Sequence, residues 1–301
     1  MEKKLNFYPL PNHLQKVMTN LHRLTGENRF FLYGGAPVDL ILDKKNKIND
    51  FDVAFEGMDK NKINQIKNRL IKKGFDIVEP YREYIIRKNK KVILVYAKKG
   101  NVFLDLCFLD DINLVPGPFN VGHLYCRFPE QDYFDGYHAL KAIRKKEIKP
   151  VRNNLDDENP YLLLSRFVNI CSKYDISFIN NKNNKGIILE LIDKIKIKNN
   201  KIISDQYISF LASIFKSIMR SKDRLSFIKD LLDIGLFKNS FSELHSSFKK
   251  LSVADFKKIN KFYKIKKRDS LIIFLSNFLT DKREKNSFFL KIDVFSIRRW
   301  E

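Results

Sequence analysis

Residues 30–57, FFLYGGAPVDLILDKKNKINDFDVAFEG, set two apolar runs on either side of a glycine pair and a short helix-like segment. The first run, Phe30 to Tyr33, ends in Gly34-Gly35. Pro37 to Leu42 reads as helix, and Asp50-Phe51-Asp52 opens the second run. Side chains alternate along a strand, so a strand over Asp50 to Phe55 puts Asp50 and Asp52 on one face, about 7 Å apart. Two carboxylates on a rigid strand beside a glycine turn suit a Mg²⁺–triphosphate site. The carboxylates are hard oxygen ligands, and exposed N–H groups of the turn hold phosphate. Each half also has a plainer reading. Gly34-Gly35 alone is a strand-to-helix turn that needs positive φ, and Asp50 and Asp52 alone are a solvated strand end. In this order, each beside an apolar run, they are more specific than either is singly.

At these residues the chain resembles the nucleotidyltransferase superfamily that includes DNA polymerase β, and within it the bacterial-type tRNA nucleotidyltransferases and poly(A) polymerases. That family opens its head domain with strand–Gly-Gly-x-Val-Arg-Asp–helix–Asp-x-Asp–strand. Gly34, Gly35, Asp39, Asp50 and Asp52 match the pattern. Pro37-Val38 stands where the family has Val-Arg, which removes a basic group that the family keeps near its catalytic face.

A third position belongs with these. Phe103-Leu104-Asp105-Leu106-Cys107-Phe108 sets one carboxylate inside a strongly apolar run. A buried unpaired carboxylate costs several kcal/mol, so Asp105 should be paired, metal-bound or turned to water. The resemblance implies the second of these, with Asp105 as the superfamily's third carboxylate on a strand next to the Asp-x-Asp strand. Asp110 and Asp111 read as loop residues in the turn that follows.

The resemblance implies a template-independent nucleotidyltransferase that adds a nucleoside monophosphate to an RNA 3′ end, by tRNA CCA-end or poly(A)-type addition. It implies Mg²⁺ as a pair of ions on Asp50, Asp52 and Asp105, and a nucleoside triphosphate, ATP foremost, bound through Gly34, Gly35 and Asp39. Two alternatives stay open. The same chemistry could act on another acceptor, such as a tRNA end modified as a toxin would, or a protein hydroxyl. Since family arginines are missing, the chain could also be a non-catalytic RNA-binding protein on a decayed transferase fold. All three acidic positions are filled, which argues against full decay.

Around this centre, residues 5–25 read as an amphipathic helix with Leu14, Val17, Met18, Leu21 and Leu24 at helical spacing. Asp59 reads as the N-cap of a helix through Ile63, Ile66, Leu70 and Ile71 that stops at Gly74. Phe75 to Val78, Tyr84 to Arg87, Lys91 to Tyr96 and Val102 to Phe108 read as strands. The result is an α+β fold: a small mixed α/β palm over residues 25–112 inside a head domain of residues 1–150. Pro116-Gly117-Pro118 begins a rim loop. Pro118-Phe119-Asn120-Val121-Gly122 stands where the family has Arg-Arg-Asp-Phe-Thr-x-Asn-Ala, keeping the apolar character and losing the arginines. Tyr133 to Pro150 resembles the hairpin passage that closes the family's head. His123 and His138, unpartnered in sequence, read as packing or hydrogen-bonding histidines.

Glu158-Asn159-Pro160-Tyr161-Leu162-Leu163-Leu164-Ser165-Arg166 resembles the family's neck helix, Glu-Asp-Pro-x-Arg-Leu-Leu-Arg. The arginine positions hold Leu162 and Ser165, and Arg166 is one position out of register. Glu158 and Arg166 are the nucleotide-binding candidates here, and Leu162, Leu163, Phe167 and Ile170 form the apolar stripe. Residues 151–301 are helical by periodicity: Ile187 to Ile197, Ile202 to Met219, Leu225 to Leu236, Ala254 to Phe262 and Leu271 to Leu279. Leu231 to Leu236 ends in a glycine-capped turn. Lys257, Lys258, Lys261, Lys264, Lys266, Lys267 and Arg268, interleaved with Phe262 and Tyr263, form the densest basic cluster. It reads either as a solvated helix face or as an RNA phosphate-binding face, with Lys264, Lys266, Lys267 and Arg268 as its contacts.

A formal net charge of +22 over 301 residues calls for an acidic partner, most simply a phosphate backbone. Both halves share it, at +9 for residues 1–150 and +13 for residues 151–301. An abundance of Lys, Asn and Ile is also a compositional habit that supplies part of the excess. Cys107, Cys126 and Cys171 are odd in number and lack metal-ligand spacing, which suits buried thiols in a reducing cytoplasm. No window nears 18 uninterrupted apolar residues, so no membrane span is expected. Oligomeric state has no signature in the sequence.

Overall fold

The structure is a computed structural model. It describes residues 10, 12–26, 30–42, 50–57, 59–86, 90–100, 102–109, 117–151, 159–198, 210, 213–214, 216–218 and 220–236; for Asp50 and some other strand and helix positions only the backbone is described. The chain divides into two compact units, Met1–Arg152 and Asn153–Glu301.

The first unit runs α1 (Asn12–Thr25), β1 (Phe30–Tyr33), α2 (Gly35–Ile41), β2 (Asp50–Glu56), α3 (Lys60–Lys72), β3 (Asp76–Ile86), β4 (Lys90–Lys99) and β5 (Val102–Leu109). It continues through a 3₁₀ turn at Asn120–Gly122 to β6 (Tyr125–Phe128), β7 (Asp132–Phe134) and α4 (Ala139–Arg144). The strands form one mixed sheet in the order β3-β4-β5-β2-β1-β6-β7. β2 and β5 are parallel, and every other neighbouring pair is antiparallel.

Strand alternation sorts the side chains onto two faces. On one face Phe30, Leu32, Phe51, Val53, Phe55, Leu104, Leu106 and Phe108 join Met18 and Leu21 of α1 and Ile63, Ile66 and Leu70 of α3 in the main core. Each such side chain, fully buried, contributes about 1.5–3 kcal/mol, so this face holds the sheet and its helices together. Asp59 starts α3 as expected, its Oδ1 accepting from Lys62 N at 2.8 Å. The Arg69 guanidinium in turn donates to Leu24 O and Thr25 O at 3.1 Å each, tying down the last turn of α1. The other face carries a smaller cluster of Phe31, Tyr33, Ala54, Val92, Cys107, Leu109 and Tyr125.

Three elements differ from their sequence reading. The two expected strands around residues 75–87 are one strand, β3, whose register shifts between Val78 and Arg82. Pro80 sits in that interval; it cannot donate to a ladder but is tolerated at a bulge on an edge strand, and β3 is an edge. The strands β6 and β7 lie where the reading placed a rim loop and a closing hairpin passage. Residues 5–9 of the expected first helix lie outside the described residues.

In the second unit all regular structure among the described residues is helical: α5 (Pro160–Tyr174), α6 (Lys182–Lys198), helical positions between 210 and 220, and α7 (Arg224–Asp233). Asn159 caps α5 by accepting from Tyr161 N at 3.0 Å, and Pro160 takes the first helical position, where its missing N–H costs nothing. The buried stripe of α5 is Leu163, Leu164, Phe167, Val168 and Cys171; Leu162, expected in it, is 45% exposed. Gly235, at φ +73°, ends α7. There Gly235 N bonds Leu232 O at 2.9 Å and Leu236 N bonds Leu231 O at 3.1 Å, the paired bonds of a Schellman cap. The segments Ala254 to Phe262 and Leu271 to Leu279 lie outside the described residues. No helix among the described residues is long and apolar enough to cross a membrane.

Candidate active site

The site is built where β1 ends. Gly34 turns the chain out of β1 at φ 77°, ψ −136°, a region that only glycine enters freely, and α2 begins at Gly35. Tyr33, just before the turn, pairs with Asp52 of β2. A Cβ on Gly34 would lie 2.5 Å from Asp52 Oδ2, so the turn and the carboxylate are in direct apposition. The absence of a side chain at Gly34 is what lets the Asp52 carboxylate sit against the backbone.

Asp52 in turn pairs with Asp105 across the parallel strands β2 and β5. Neighbouring strands run about 4.8 Å apart and paired residues share a face, so the two carboxylates stand side by side on the face away from α1 and α3. Tyr96 of β4 pairs with Asp105, which completes a row of Tyr33, Asp52, Asp105 and Tyr96 across four strands. Both aspartates are half-buried. Asp50 stands two residues before Asp52 in the same strand, its backbone paired with Phe103.

Beside the carboxylates, on the same face of the sheet, lie two protonated groups that the sequence reading did not assign to the site. Burial pushes the Tyr33 phenol well above its ordinary range, and the neighbouring Cys107, Asp52 and Asp105 push it further, while its O–H donates to the Cys107 sulfur. Burial pushes the Cys107 thiol up to about 12, the hydrogen bond from Tyr33 offsets this in part, and the Asp52 charge adds to it. At neutral pH both are therefore neutral. They flank the carboxylates and are not nucleophiles. Cys107 had a signal in alternation, since it follows Asp105 by two residues on the same strand; Tyr33, on another strand, had none. All three cysteines are free and buried.

Asp39 is buried in α2, five residues after Gly34, beside the likewise buried Pro37 and Val38. Val38, at the position where the resembled pattern has arginine, is fully buried. Arg166 is half-buried on α5 in the second unit. Glu158, Lys264, Lys266, Lys267 and Arg268 lie outside the described residues. The structure thus brings Gly34, Gly35, Asp52 and Asp105 together and leaves the RNA-binding candidates undescribed.

Among the described residues no group of three or more His, Cys, Asp or Glu side chains is gathered to hold a metal. Asp52 and Asp105 still fit Mg²⁺ by donor chemistry. That ion takes oxygen ligands, keeps several waters, and is commonly bound through one or two carboxylates plus substrate phosphates.

The rest of this half of the unit is structural. His123 is buried, with Nε2 donating to Gly117 O at 2.7 Å and Nδ1 3.1 Å from the Tyr125 hydroxyl, so it packs and bonds as expected. His138 is exposed at the start of α4, where Asp135 accepts from Ala139 N at 2.5 Å and from Leu140 N at 3.1 Å. Arg127 and Asp132 pair at 2.8 Å across the β6–β7 hairpin.

No family model matches the sequence, and no curated protein matches it. Solved structures do match. A CCA-adding enzyme in complex with ATP superposes with a TM-score of 0.60 over 93% of this chain and 66% of its own, at 14% identity. A Thermotoga maritima CCA-adding enzyme complexed with tRNA gives 0.59 over 93% and 66%, at 13% identity. A tRNA-processing enzyme without ligand gives 0.61 over 91% and 77%, at 13% identity. The chain spans just under two thirds of the length of those CCA-adding enzymes. It has the α+β fold of the CCA-adding and tRNA-processing enzymes.

Proposed function

We propose that the chain is a template-independent nucleotidyltransferase that moves a nucleoside monophosphate from a nucleoside triphosphate to an RNA 3′ end, with a tRNA as the first candidate. The observation that carries this is the pairing of Asp52 with Asp105 on parallel neighbouring strands, with Gly34 against Asp52. Two half-buried like charges side by side raise each other's cost of ionisation, and a bound cation offsets it. The fold agrees, since its solved relatives include CCA-adding enzymes crystallised with ATP, with CTP and with tRNA.

In this reading Asp50, Asp52 and Asp105 are the residues that hold Mg²⁺. Bound there, Mg²⁺ supplies a lowered pKa for the attacking hydroxyl and charge neutralisation at the departing oxygens. The backbone N–H groups at Gly34 and Gly35 approach the triphosphate closely because no side chain intervenes. Tyr33 and Cys107, buried and neutral, flank the carboxylates on the same face. The RNA 3′ oxygen bonds to the α-phosphorus as the bond to the β-phosphate breaks; pyrophosphate leaves with the electron pair and the hydroxyl proton passes to solvent. Asp39 of α2 is assigned with Gly34 and Gly35 to the nucleotide. Glu158 and Arg166 are assigned to the nucleotide, and Lys264, Lys266, Lys267 and Arg268 to RNA phosphates.

The test is incorporation of each of the four labelled nucleotides into total RNA and into tRNA lacking its 3′ CCA, with and without Mg²⁺, followed by sizing of the products. Metal-dependent addition supports the proposal. A short fixed step marks end repair and a ladder marks tailing. No incorporation of any nucleotide would favour an RNA-binding protein on a decayed transferase fold.

A further inference from the structure

On the carboxylate face, the sheet continues past Asp105 with a second row. Lys98 of β4 pairs with Phe103 of β5, and Phe103 pairs with Asp50 of β2. Lys98 and Tyr96 lie two apart in β4, and Phe103 and Asp105 two apart in β5, so Lys98 and Phe103 share the face that carries Asp105. The Lys98 ammonium lies 5.4 Å from the centroid of the Phe103 ring, and both side chains are half-buried. Lys98 is diagonal to Asp105, about 7–8 Å away between backbones, and its flexible stem gives the ammonium further reach. Among the described residues no carboxylate pairs with it.

Its side of the sheet matters. Strand order is β4-β5-β2-β1, so Gly34 at the end of β1 stands on one side of the carboxylate row, and Lys98 with Phe103 stands on the other. In an in-line displacement the nucleophile and the leaving group sit on opposite sides of the reacting phosphorus. A triphosphate laid against Gly34 sends its pyrophosphate toward β1, which leaves the β5–β4 side for the attacking 3′ end. A cation beside an aromatic ring is what the terminal nucleotide of a single strand needs: a charge for its phosphate and a surface for its sugar or base.

We infer that Lys98 and Phe103 form the acceptor subsite, with Lys98 as a positioning residue that holds the last phosphate of the RNA 3′ end against the Asp52–Asp105 pair. This rests on the transferase reading above. It also assigns the chain a basic group on the carboxylate face that the loss of the family's arginine at Val38 does not affect.

The test is a KM–kcat split with tRNA lacking its 3′ CCA as the acceptor. Lys98→Met keeps the stem over Phe103 and removes the charge. It should raise acceptor KM roughly tenfold while nucleotide KM and kcat stay near wild type, and Lys98→Arg should restore most of the loss. Unchanged acceptor KM in Lys98→Met, or a rise in nucleotide KM instead, would overturn the assignment. A second measurement does not depend on turnover: an RNA ending in 3′-terminal 4-thiouridine is photocrosslinked to the protein and the adduct mapped. The adduct should fall on β4 or β5, and an adduct at the β1–α2 turn would overturn the subsite. A wild-type chain that adds no nucleotide would overturn the transferase reading, and the crosslink would still decide the subsite.

Discussion

Gly34 is where one residue has the most consequence. Its backbone lies at φ 77°, ψ −136°, and any Cβ there would sit 2.5 Å from Asp52 Oδ2. Gly34→Ala therefore combines about 1–3 kcal/mol of backbone strain with displacement of the Asp52 carboxylate. Denaturant unfolding should show the loss of stability and single-turnover transfer should show a loss of rate; a variant with wild-type values in both would contradict the apposition. The glycine pair and the Asp-x-Asp spacing were legible because each is local: a turn signal beside a strand pattern. The partnership of Asp105 with Asp52 was not legible from residues alone. It depends on parallel pairing between strands some fifty positions apart, which no local pattern encodes, and the family resemblance supplied it. Tyr33 read only as the end of an apolar run and Cys107 only as a buried thiol, because the contact of Tyr33 with the carboxylates appears only once register is known.

At the scale of elements, local chemistry predicted helix ends well and short strands poorly. Asp59, Pro160 and Gly235 sit at the helix ends where their side chain, ring or backbone freedom suits them. β6 and β7 have four and three residues, too few for a period to show. Pro80 made one bulged strand look like two. In the second unit, α7 meets the turn after α5 through Ser177, whose hydroxyl lies 3.5 Å from Asp230 Oδ2. Burial raises the Asp230 pKa, the Asp233 charge raises it further, the Ser177 bond lowers it in part, and Asp223 adds a last upward push. A carboxyl whose folded pKa is raised stabilises the fold fully below its unfolded value of about 4, and that contribution is lost as pH rises through the folded value. Asp230→Asn should therefore raise the Tm at pH 7, and the gain should shrink as pH falls through the raised folded value and be gone below about 4. A variant less stable than wild type at pH 7 would show that the ionised Asp230 is favoured where it stands.

At the scale of the whole chain, the net charge of +22 is the feature that the described fold explains least, because Lys264, Lys266, Lys267 and Arg268 lie outside the described residues. If they bind RNA phosphates, reversing Lys264, Lys266 and Lys267 should weaken RNA binding. Each lost contact should also lower the magnitude of the log–log salt slope by about 0.7 on single-stranded RNA. An unchanged slope would mean a solvated helix face, and the charge would then reflect composition. The fold itself was legible at this scale, as a mixed α/β head followed by helices, because the hydrophobic period changes along the chain. The central claim is that Asp52 and Asp105 together perform transfer, and the most direct test is the single-turnover transfer rate of Asp105→Asn, with RNA affinity measured in parallel. Asparagine keeps the size and packing of Asp105 and removes one charge from the site. The rate should fall on the order of a thousandfold, while RNA affinity stays equal or rises because a repulsive charge near phosphate is gone. Wild-type turnover in that variant would make Asp105 an ordinary strand residue and contradict the account.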